Sequence, residues 1–253
     1  MQIEGSSAIV SGAASGLGAA TATALTAAGA HVVGVDLASG WERTGGMDRE
    51  YTAVVGDVTS EADIAAAVTT AGDKGPLRVA VSCAGVATAG RILSRKGVHA
   101  LDLFGSIVAV NLLGTFNVLR LAAEAMSTTE PVDDQGQRGL IVNTASVAAF
   151  DGQIGQIAYS ASKGGVAGMT LPAARDLAQY GIRVLTIAPG ILDTPMMAGV
   201  TEEFRTSLAA NVPFPKRFGR PEEYAGLVLS MVAQDYLNGE VIRLDGALRM
   251  PPR

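Results

Sequence analysis

The chain has one cysteine, few aromatic side chains and only a modest excess of acid. Its single cysteine, Cys83, cannot form a disulfide within the chain, which agrees with a reducing compartment. The formal net charge of -5 argues against nucleic acid or an anionic membrane as a general partner. The two histidines, His31 and His99, have no neighbour at metal-ligand spacing, so no metal site is expected.

Long apolar runs and targeting signals are also missing. No stretch approaches the roughly eighteen uninterrupted apolar residues that a membrane-spanning helix needs. Residues 1–5 form neither a signal peptide nor an Arg-rich presequence. We therefore expect a cytoplasmic protein without a membrane span.

Short apolar runs alternate with helical patterns along the whole chain. Strands this apolar are typical of a parallel sheet that is covered on both faces. Strict β-α-β alternation predicts an α/β chain with one domain over residues 1–253, a Rossmann fold with a doubly wound seven-stranded parallel sheet flanked by helices. The predicted strands are 7–11, 31–36, 51–55, 77–82, 139–144, 182–187 and 240–244.

Helices are expected between these strands. One runs to about residue 28, one begins after Thr59 or Ser60 as the N-cap, and two more span about 100–126 and 155–178. Pro172 lies inside the last of these and should kink it or find compensation. Residues 126–138 and 190–211 are polar and predict loops. The second is long for a compact domain, so residues 190–212 are interpreted as a substrate lid.

A glycine-rich turn joins the first strand to the first helix, with the spacing Gly12-x-x-x-Gly16-x-Gly18. Glycines there allow a close approach to a pyrophosphate at the helix N-terminus, although a purely structural turn has the same composition. Asp36 ends the second strand, where a carboxylate accepts hydrogen bonds from a ribose diol and repels a 2′-phosphate. This favours NAD over NADP, and the alternative is a simple turn aspartate.

Two further strand ends have residues suited to a dinucleotide. Asp57 and Val58 follow the third strand and are candidates to hold an adenine ring, with helix capping as the alternative. Cys83 and Gly85 follow the fourth strand, where small residues permit close approach of a cofactor. Cys83 is equally interpreted as a small buried apolar residue.

Tyr159 and Lys163 are four residues apart, and Ser146 precedes the tyrosine by thirteen. On a helix this spacing places the ammonium one turn from the phenol, which should lower the phenol pKa and make Tyr159 a general acid and base. The alternative is an ordinary Tyr and Lys on a solvated helix face.

Together these motifs resemble the classical short-chain dehydrogenases/reductases over nearly the whole chain. The resemblance implies that Ser146 bonds the substrate oxygen, that Tyr159 exchanges its proton, and that Lys163 lowers the tyrosine pKa and binds the nicotinamide ribose. It implies that Asn111 kinks its helix and anchors a relay water. The cofactor shell that it implies, with the glycines above, is Ser15, Leu17, Asp36, Asp57, Val58, Cys83, Gly85, Pro189, Gly190, Leu192 and Thr194.

Within this family the chain is most similar to dehydrogenases of 3-hydroxyacyl-CoA. The likeness rests on the segments 144–150, 159–165, 168–172, 212–215 and 237–247, and is weakest at residues 86–98. It implies a homotetramer that uses NAD to oxidise short-chain or 2-methyl-branched 3-hydroxyacyl-CoA in fatty acid metabolism, with hydroxysteroids accepted by some members. The alternatives are a hydroxysteroid dehydrogenase, a 3-oxoacyl carrier-protein reductase, and a non-enzymatic scaffold or RNA-processing subunit.

Two weaker features bear on an acyl-CoA substrate. Arg91, Arg95 and Lys96 are candidates for contacts with the CoA phosphates, although a solvated charged loop has the same composition. Met196 and Met197 suit an acyl pocket, and ordinary packing explains them equally well.

Overall fold

In a computed structural model, the chain folds around one large parallel sheet. The structure describes residues 1–95, 97–197 and 201–252, and it leaves out the side chains of Met196 and Phe204. Lys96 was one of the three cations considered for CoA, and it lies outside the described residues. Met196 was considered for an acyl pocket, and its side chain is likewise not described.

The described elements alternate as the sequence predicts. The strands are β1 Ser7–Ser11, β2 His31–Asp36, β3 Thr52–Val55, β4 Leu77–Ser82, β5 Leu93–Ser94, β6 Gly97–Val98, β7 Gly139–Thr144, β8 Ile182–Pro189 and β9 Val241–Leu244. The α-helices are α1 Gly16–Ala27, α2 Ala38–Arg43, α3 Glu61–Gly72, α4 Leu101–Val108, α5 Thr115–Ser127, α6 Ile157–Leu177, α7 Glu202–Ala210 and α8 Pro221–Ala233.

Seven strands form the main sheet in the order β3-β2-β1-β4-β7-β8-β9, and every neighbouring pair is parallel. The strand order reverses between β1 and β4. In doubly wound folds this reversal opens a crevice at the carboxyl ends of the strands. The predicted Rossmann fold is therefore confirmed, and β5 and β6 form a separate antiparallel hairpin.

Helices bury both faces of the sheet. On one face, Trp41, Leu25 and Tyr224 pack against Val10, Val81 and other alternate strand residues. On the other face, Ile64, Val118 and Met126 pack against Ile9, Ile141 and their neighbours. Because both faces are covered, the central strands are mostly apolar, as is typical of parallel sheets.

Several helices differ from the prediction. Residues 190–211 are not one loop, because they contain a 3-10 turn at Pro195–Met197 and helix α7. Helices α2 and α8 were not foreseen, although α8 begins with Pro221 at its first position. Glu223 closes this start by accepting a hydrogen bond from the main-chain nitrogen of Arg220 at 2.7 Å. The sequence signal for this helix start is Pro221 followed by the acids Glu222 and Glu223.

The long helix predicted at residues 100–126 is interrupted. A π-helical segment, Ala109–Gly114, separates α4 from α5. By length and composition alone, the stretch Leu101–Ser127 is apolar enough to cross a membrane, but more than half of it is buried inside the fold. Its second part, α5, serves here as a core helix packed on β4 and β7.

Candidate active site

The glycine-rich turn brings α1 close to the ends of β1 and β4. Gly12 has a φ of 69°, and a Cβ there would lie 2.7 Å from the main-chain nitrogen of Ala84. A Cβ on Gly18 would collide with the main-chain oxygen of Gly12. Side chains at these positions would separate the helix from the sheet, so the glycines have a packing role whatever they bind.

The N-terminus of α1 is built to accept an anion. Ser15 is the N-cap in extended conformation, and its side chain makes no capping hydrogen bond within the described residues. The first turn contains no acid. The N–H groups of this turn and the helix dipole thus face the crevice. Leu17 packs partly against the core, so its contact with a cofactor stays a prediction.

Asp36 closes the same turn from the end of β2. One carboxylate oxygen accepts from the main-chain nitrogen of Ala14 at 2.9 Å, and the other accepts from that of Leu37 at 2.8 Å. Tyr51 fastens the turn further, since its hydroxyl donates to the main-chain oxygen of Ala13 at 2.7 Å. The negative charge of Asp36 is therefore held beside the glycine-rich turn, where it would oppose a phosphate on the ribose.

Asp57 makes the contacts expected of a residue that helps to cap a helix, which was the alternative to a role in binding adenine. Its Oδ1 accepts from both the main-chain nitrogen and the hydroxyl of Thr59 at 2.8 Å. Ser60 is the N-cap of α3, as one of the two predicted candidates. Val58 is buried, and a Cβ on Gly114 would press against it. These contacts fix both residues structurally, and their role with an adenine stays a prediction.

The end of β4 meets two helices. A Cβ on Gly85 would lie 3.2 Å from Asn111 Oδ1 and 3.5 Å from Lys163 Nζ. A side chain here would press on the Asn111 amide and touch the Lys163 ammonium, so glycine leaves both polar groups room at the strand end. Cys83 is partly buried beside them, and burial raises the pKa of its thiol.

Tyr159 and Lys163 lie one turn apart on α6, as the spacing predicts. Lys163 Nζ is 5.8 Å from the centre of the Tyr159 ring. The lysine side chain is buried and donates to the main-chain oxygen of Thr144 at 2.8 Å. Ser146 follows β7, is buried, and accepts from the main-chain nitrogen of Ala148 at 3.1 Å. The three residues therefore form one cluster where β7 ends.

The predicted lowering of the Tyr159 pKa by Lys163 is wrong in this structure. Burial raises the pKa of Tyr159, and its hydrogen bond with Ser146 only partly opposes that effect. Burial also lowers the pKa of Lys163 to about 8. The reason is that a buried site disfavours the charged form of both groups.

Asn111 lies in the π-helical segment and connects three parts of the site. Its Oδ1 accepts from the main-chain nitrogen of Val86 at 2.8 Å, and its Nδ2 donates to the oxygen of the same residue at 2.9 Å. Nδ2 also donates to the hydroxyl of Ser162 at 3.1 Å, which in turn donates to Tyr159 O at 2.7 Å. The helix is irregular where the resemblance implies a kink; anchoring of a water stays a prediction.

The segment after β8 reaches over the sheet toward the glycine-rich turn. A Cβ on Gly190 would lie 2.8 Å from Asp245 Cβ, and Leu192 pairs with Gly219. Thr194 then comes within 3.4 Å of a Cβ built on Gly16. The predicted segment from Pro189 to Thr194 therefore borders the same crevice as the turn after β1.

A cleft lies at the N-terminal end of α6, the helix that carries Tyr159 and Lys163. It has a volume of about 430 Å³ and is lined by residues 90–93 and 152–157 together with Ser160. Ile92, Leu93 and Ile154 expose apolar side chains there. Arg91 also lines it, whereas Arg95 is exposed in the turn between β5 and β6.

Three residues of the site have no signal in a single sequence. Thr144 acts through its main-chain oxygen, which any residue would provide. Ser162 appears in the motif around Tyr159, but nothing there shows that it accepts from Asn111. Tyr224 contacts Thr144 from α8, far along the chain, so only the fold brings them together.

Comparison with known proteins agrees with this geometry. The family model for short chain dehydrogenase matches residues 6–204. This chain belongs to the short-chain dehydrogenase family. It is an oxidoreductase, and the resemblance noted from its motifs is confirmed.

Its relatives match over nearly their whole length. The chain is 52% identical to 3-hydroxyacyl-CoA dehydrogenase type-2 of Bos taurus, covering 99% of this chain and 97% of the relative. It is 54% identical to the Drosophila melanogaster protein of the same name, over 96% and 97%. A crystal structure of 3-hydroxyacyl-CoA dehydrogenase type-2 from Mycobacterium avium superposes with a TM-score of 0.90 at 45% identity, over 100% and 99% of the two chains.

Proposed function

We propose that this dehydrogenase oxidises the hydroxyl group of a 3-hydroxyacyl-CoA, short-chain or 2-methyl-branched, with NAD as the hydride acceptor. The observation that carries the proposal is the cluster of Ser146, Tyr159 and Lys163 at the end of β7, with two of its members on α6, the helix whose N-terminal end lines the cleft. The acyl-CoA substrate is supported by relatives of that name that match at more than half identity along their whole length.

The residues at the crevice fit a dinucleotide. The N-terminus of α1 offers N–H groups for a pyrophosphate, and the close packing of Gly12 and Gly18 brings this helix start up to the ends of β1 and β4. Asp36 would accept from a ribose diol, and its charge would oppose the extra phosphate of NADP. Gly16 and Thr194 would border the nicotinamide end.

When bound, the nicotinamide would supply the hydride acceptor. Tyr159 removes the proton of the substrate hydroxyl in its deprotonated form and returns it in the reverse reaction. Ser146 donates to the substrate oxygen and stabilises the negative charge that develops there. Lys163, whose Nζ lies 5.8 Å from the centre of the Tyr159 ring, would donate to the nicotinamide ribose, while Asn111 fixes the strand end at Val86.

The cleft at the N-terminal end of α6 would take the acyl part of the substrate. Its apolar wall of Ile92, Leu93 and Ile154 suits a short or branched acyl chain. Arg91 at the same wall is available to the CoA phosphates. We also propose a homotetramer, since Leu113 and Phe116 expose large apolar side chains that a second copy would cover.

The test is an assay of the purified protein with acetoacetyl-CoA, following loss of NADH and, in parallel, of NADPH. The proposal predicts fast loss of NADH and little loss of NADPH. Turnover with NADPH alone would instead indicate a carrier-protein reductase. No turnover with either cofactor, in a protein that binds NADH, would exclude the acyl-CoA substrate and direct the search to hydroxysteroids.

A further inference from the structure

A chain of buried hydrogen bonds runs behind Lys163 to the opposite face of the sheet. Lys163 Nζ donates to the main-chain oxygen of Thr144 at 2.8 Å. The hydroxyl of Thr144 lies 2.7 Å from the phenol oxygen of Tyr224. Tyr224 belongs to α8 and is fully buried. A single residue of β7 therefore links the lysine on α6 to the tyrosine on α8.

The direction of this chain follows from what each atom is able to donate. A threonine hydroxyl has one proton, and Thr144 gives it to the main-chain oxygen of Ser82, which only accepts. The phenol of Tyr224 must therefore donate to Thr144. Its oxygen accepts in turn from the thiol of Cys83, 3.7 Å away. The hydrogen bonds thus run in one direction: the Cys83 thiol donates to the Tyr224 phenol, which donates to the Thr144 hydroxyl, which donates to the Ser82 carbonyl.

This arrangement fixes Thr144 from its side chain. Its hydroxyl is held by Ser82 on one side and by Tyr224 on the other, so its main chain has little freedom to turn. The oxygen of that main chain is the acceptor for the buried ammonium of Lys163. Cooperative chains of this kind strengthen each of their hydrogen bonds in a dry interior.

We propose that Tyr224 is a positioning residue, whose phenol fixes Thr144 so that the Thr144 carbonyl holds the Lys163 ammonium beside Tyr159. The importance of Lys163 for turnover rests on the proposed function. The positioning itself is a property of the free protein, and it is tested separately.

Three titratable groups face Lys163 from the elements around it. Tyr159 lies on α6 itself, Cys83 follows β4, and Tyr224 approaches from α8 through Thr144. Burial lowers the pKa of Lys163 to about 8. Burial raises the pKa of Cys83, Tyr159 and Tyr224, so near neutral pH these three stay protonated. Lys163 is therefore the group of this cluster that titrates around pH 8.

Loss of the Tyr224 hydroxyl should weaken the acceptor for the ammonium. Tyr224→Phe removes the hydrogen bond that Thr144 receives from α8, so its hydroxyl keeps the bond to Ser82 but is no longer held from the opposite side. Because a hydrogen bond to the charged form favours that form, a weaker bond lowers the lysine pKa. We expect the Lys163 pKa to fall by about 0.5 or more.

The measurement is an NMR titration of the protein labelled with ¹³C at lysine Cε, without cofactor or substrate. The chain contains four lysines, Lys74, Lys96, Lys163 and Lys216, so the spectrum is simple. The signal that is absent from a Lys163→Met variant belongs to Lys163. Its midpoint is compared between the wild-type protein and Tyr224→Phe.

Thr170→Val is the matched control. Thr170 is buried on α6, and its hydroxyl lies 2.6 Å from that of Thr186, on the face of the sheet away from Tyr224. The variant loses one buried hydroxyl pair, so it should be destabilised to a similar extent. It should leave the Lys163 midpoint and the pH profile of turnover unchanged.

Thr144→Val is a second variant that keeps the main-chain oxygen and removes the hydroxyl. It should lower the Lys163 midpoint as Tyr224→Phe does. The double variant should shift it no further than one single variant, because both act through the same contact. It also gives a result if Tyr224→Phe does not fold.

Turnover provides an independent readout. Tyr224→Phe should lower kcat several-fold and leave KM for acetoacetyl-CoA unchanged, since the residue is buried away from the cleft. Lys163 midpoints that are equal in the wild-type, Tyr224→Phe and Thr144→Val proteins would overturn the positioning role, even if the variants melt earlier. An inactive wild-type protein would defeat the proposed function and leave the titration valid.

Discussion

The side chain of Asn111 makes two hydrogen bonds, of 2.8 and 2.9 Å, to the main chain of Val86. The two bonds resemble the hydrogen-bonded pair between neighbouring residues of a β-ladder. They join the π-helical segment to the end of β4, beside Gly85 and Lys163. Asn111 therefore has a structural role in holding the site together, independent of any role in proton transfer.

Asn111→Ala should therefore destabilise the protein even without ligand. The variant loses three hydrogen bonds of a fully buried amide. We expect a loss of about 2–3 kcal/mol in the free energy of unfolding, together with lower turnover. Denaturant unfolding followed by circular dichroism measures the first effect. Stability equal to that of the wild-type protein would show that the contacts to Val86 contribute nothing.

Asp36→Asn should relax the preference between the two dinucleotides. The amide keeps one oxygen to accept from the main chain of the turn, while the charge that opposes a 2′-phosphate is removed. The ratio of kcat/KM for NADPH to that for NADH should rise about tenfold or more. The exposed Asp73→Asn is the control for a change in net charge alone. An unchanged ratio in Asp36→Asn would remove the basis for expecting NAD.

Lys163→Met should stabilise the protein near pH 7 while abolishing efficient turnover. Since burial lowers the lysine pKa from 10.5 to about 8, folding at pH 7 includes the cost of burying an ammonium. This cost is complete below pH 8 and disappears as the pH rises toward 10.5, where the unfolded chain also loses the proton. The advantage of Met, of order 1–3 kcal/mol, should shrink over that window. Thermal unfolding at pH 7, 9 and 10 measures it.

The oxidation rate should rise with pH above neutrality. Burial raises the pKa of Tyr159, so only a small fraction is the phenolate that takes the substrate proton at pH 7. The reverse reaction needs the protonated phenol and should fall at alkaline pH. Initial rates in both directions between pH 6 and 10 give the two profiles. Parallel profiles would mean that Tyr159 is not the group exchanging the proton.

The sequence predicted the sheet well because its strands are buried on both faces. Runs such as Leu77–Ser82 and Gly139–Thr144 are mostly apolar or small, with Arg78 and Asn143 as buried polar exceptions, and flanking turns mark their ends. Helix α7 was missed because its residues are polar and follow a long segment without a clear period. The π-helical segment depends on the contact of Asn111 with Val86, which local patterns do not contain.

The same limit applies to the site. Motif spacing predicted that Tyr159 and Lys163 would lie together, because a helix fixes the relation between residues four apart. It could not predict the direction of the phenol pKa, which depends on how deeply the fold buries the pair. Nor could it find Tyr224, whose contact with Thr144 requires α8 to pack on the opposite face of the sheet.

The most direct test of the central claim is turnover of acetoacetyl-CoA by Tyr159→Phe, with NADH binding measured in parallel by fluorescence titration. Removing one hydroxyl leaves the ring and its packing intact, so NADH should bind as it does to the wild-type protein. The account predicts that kcat falls about a hundredfold or more, as expected for loss of a general acid. Turnover within a fewfold of wild type, with normal NADH binding, would contradict the assignment of Tyr159 as the proton donor.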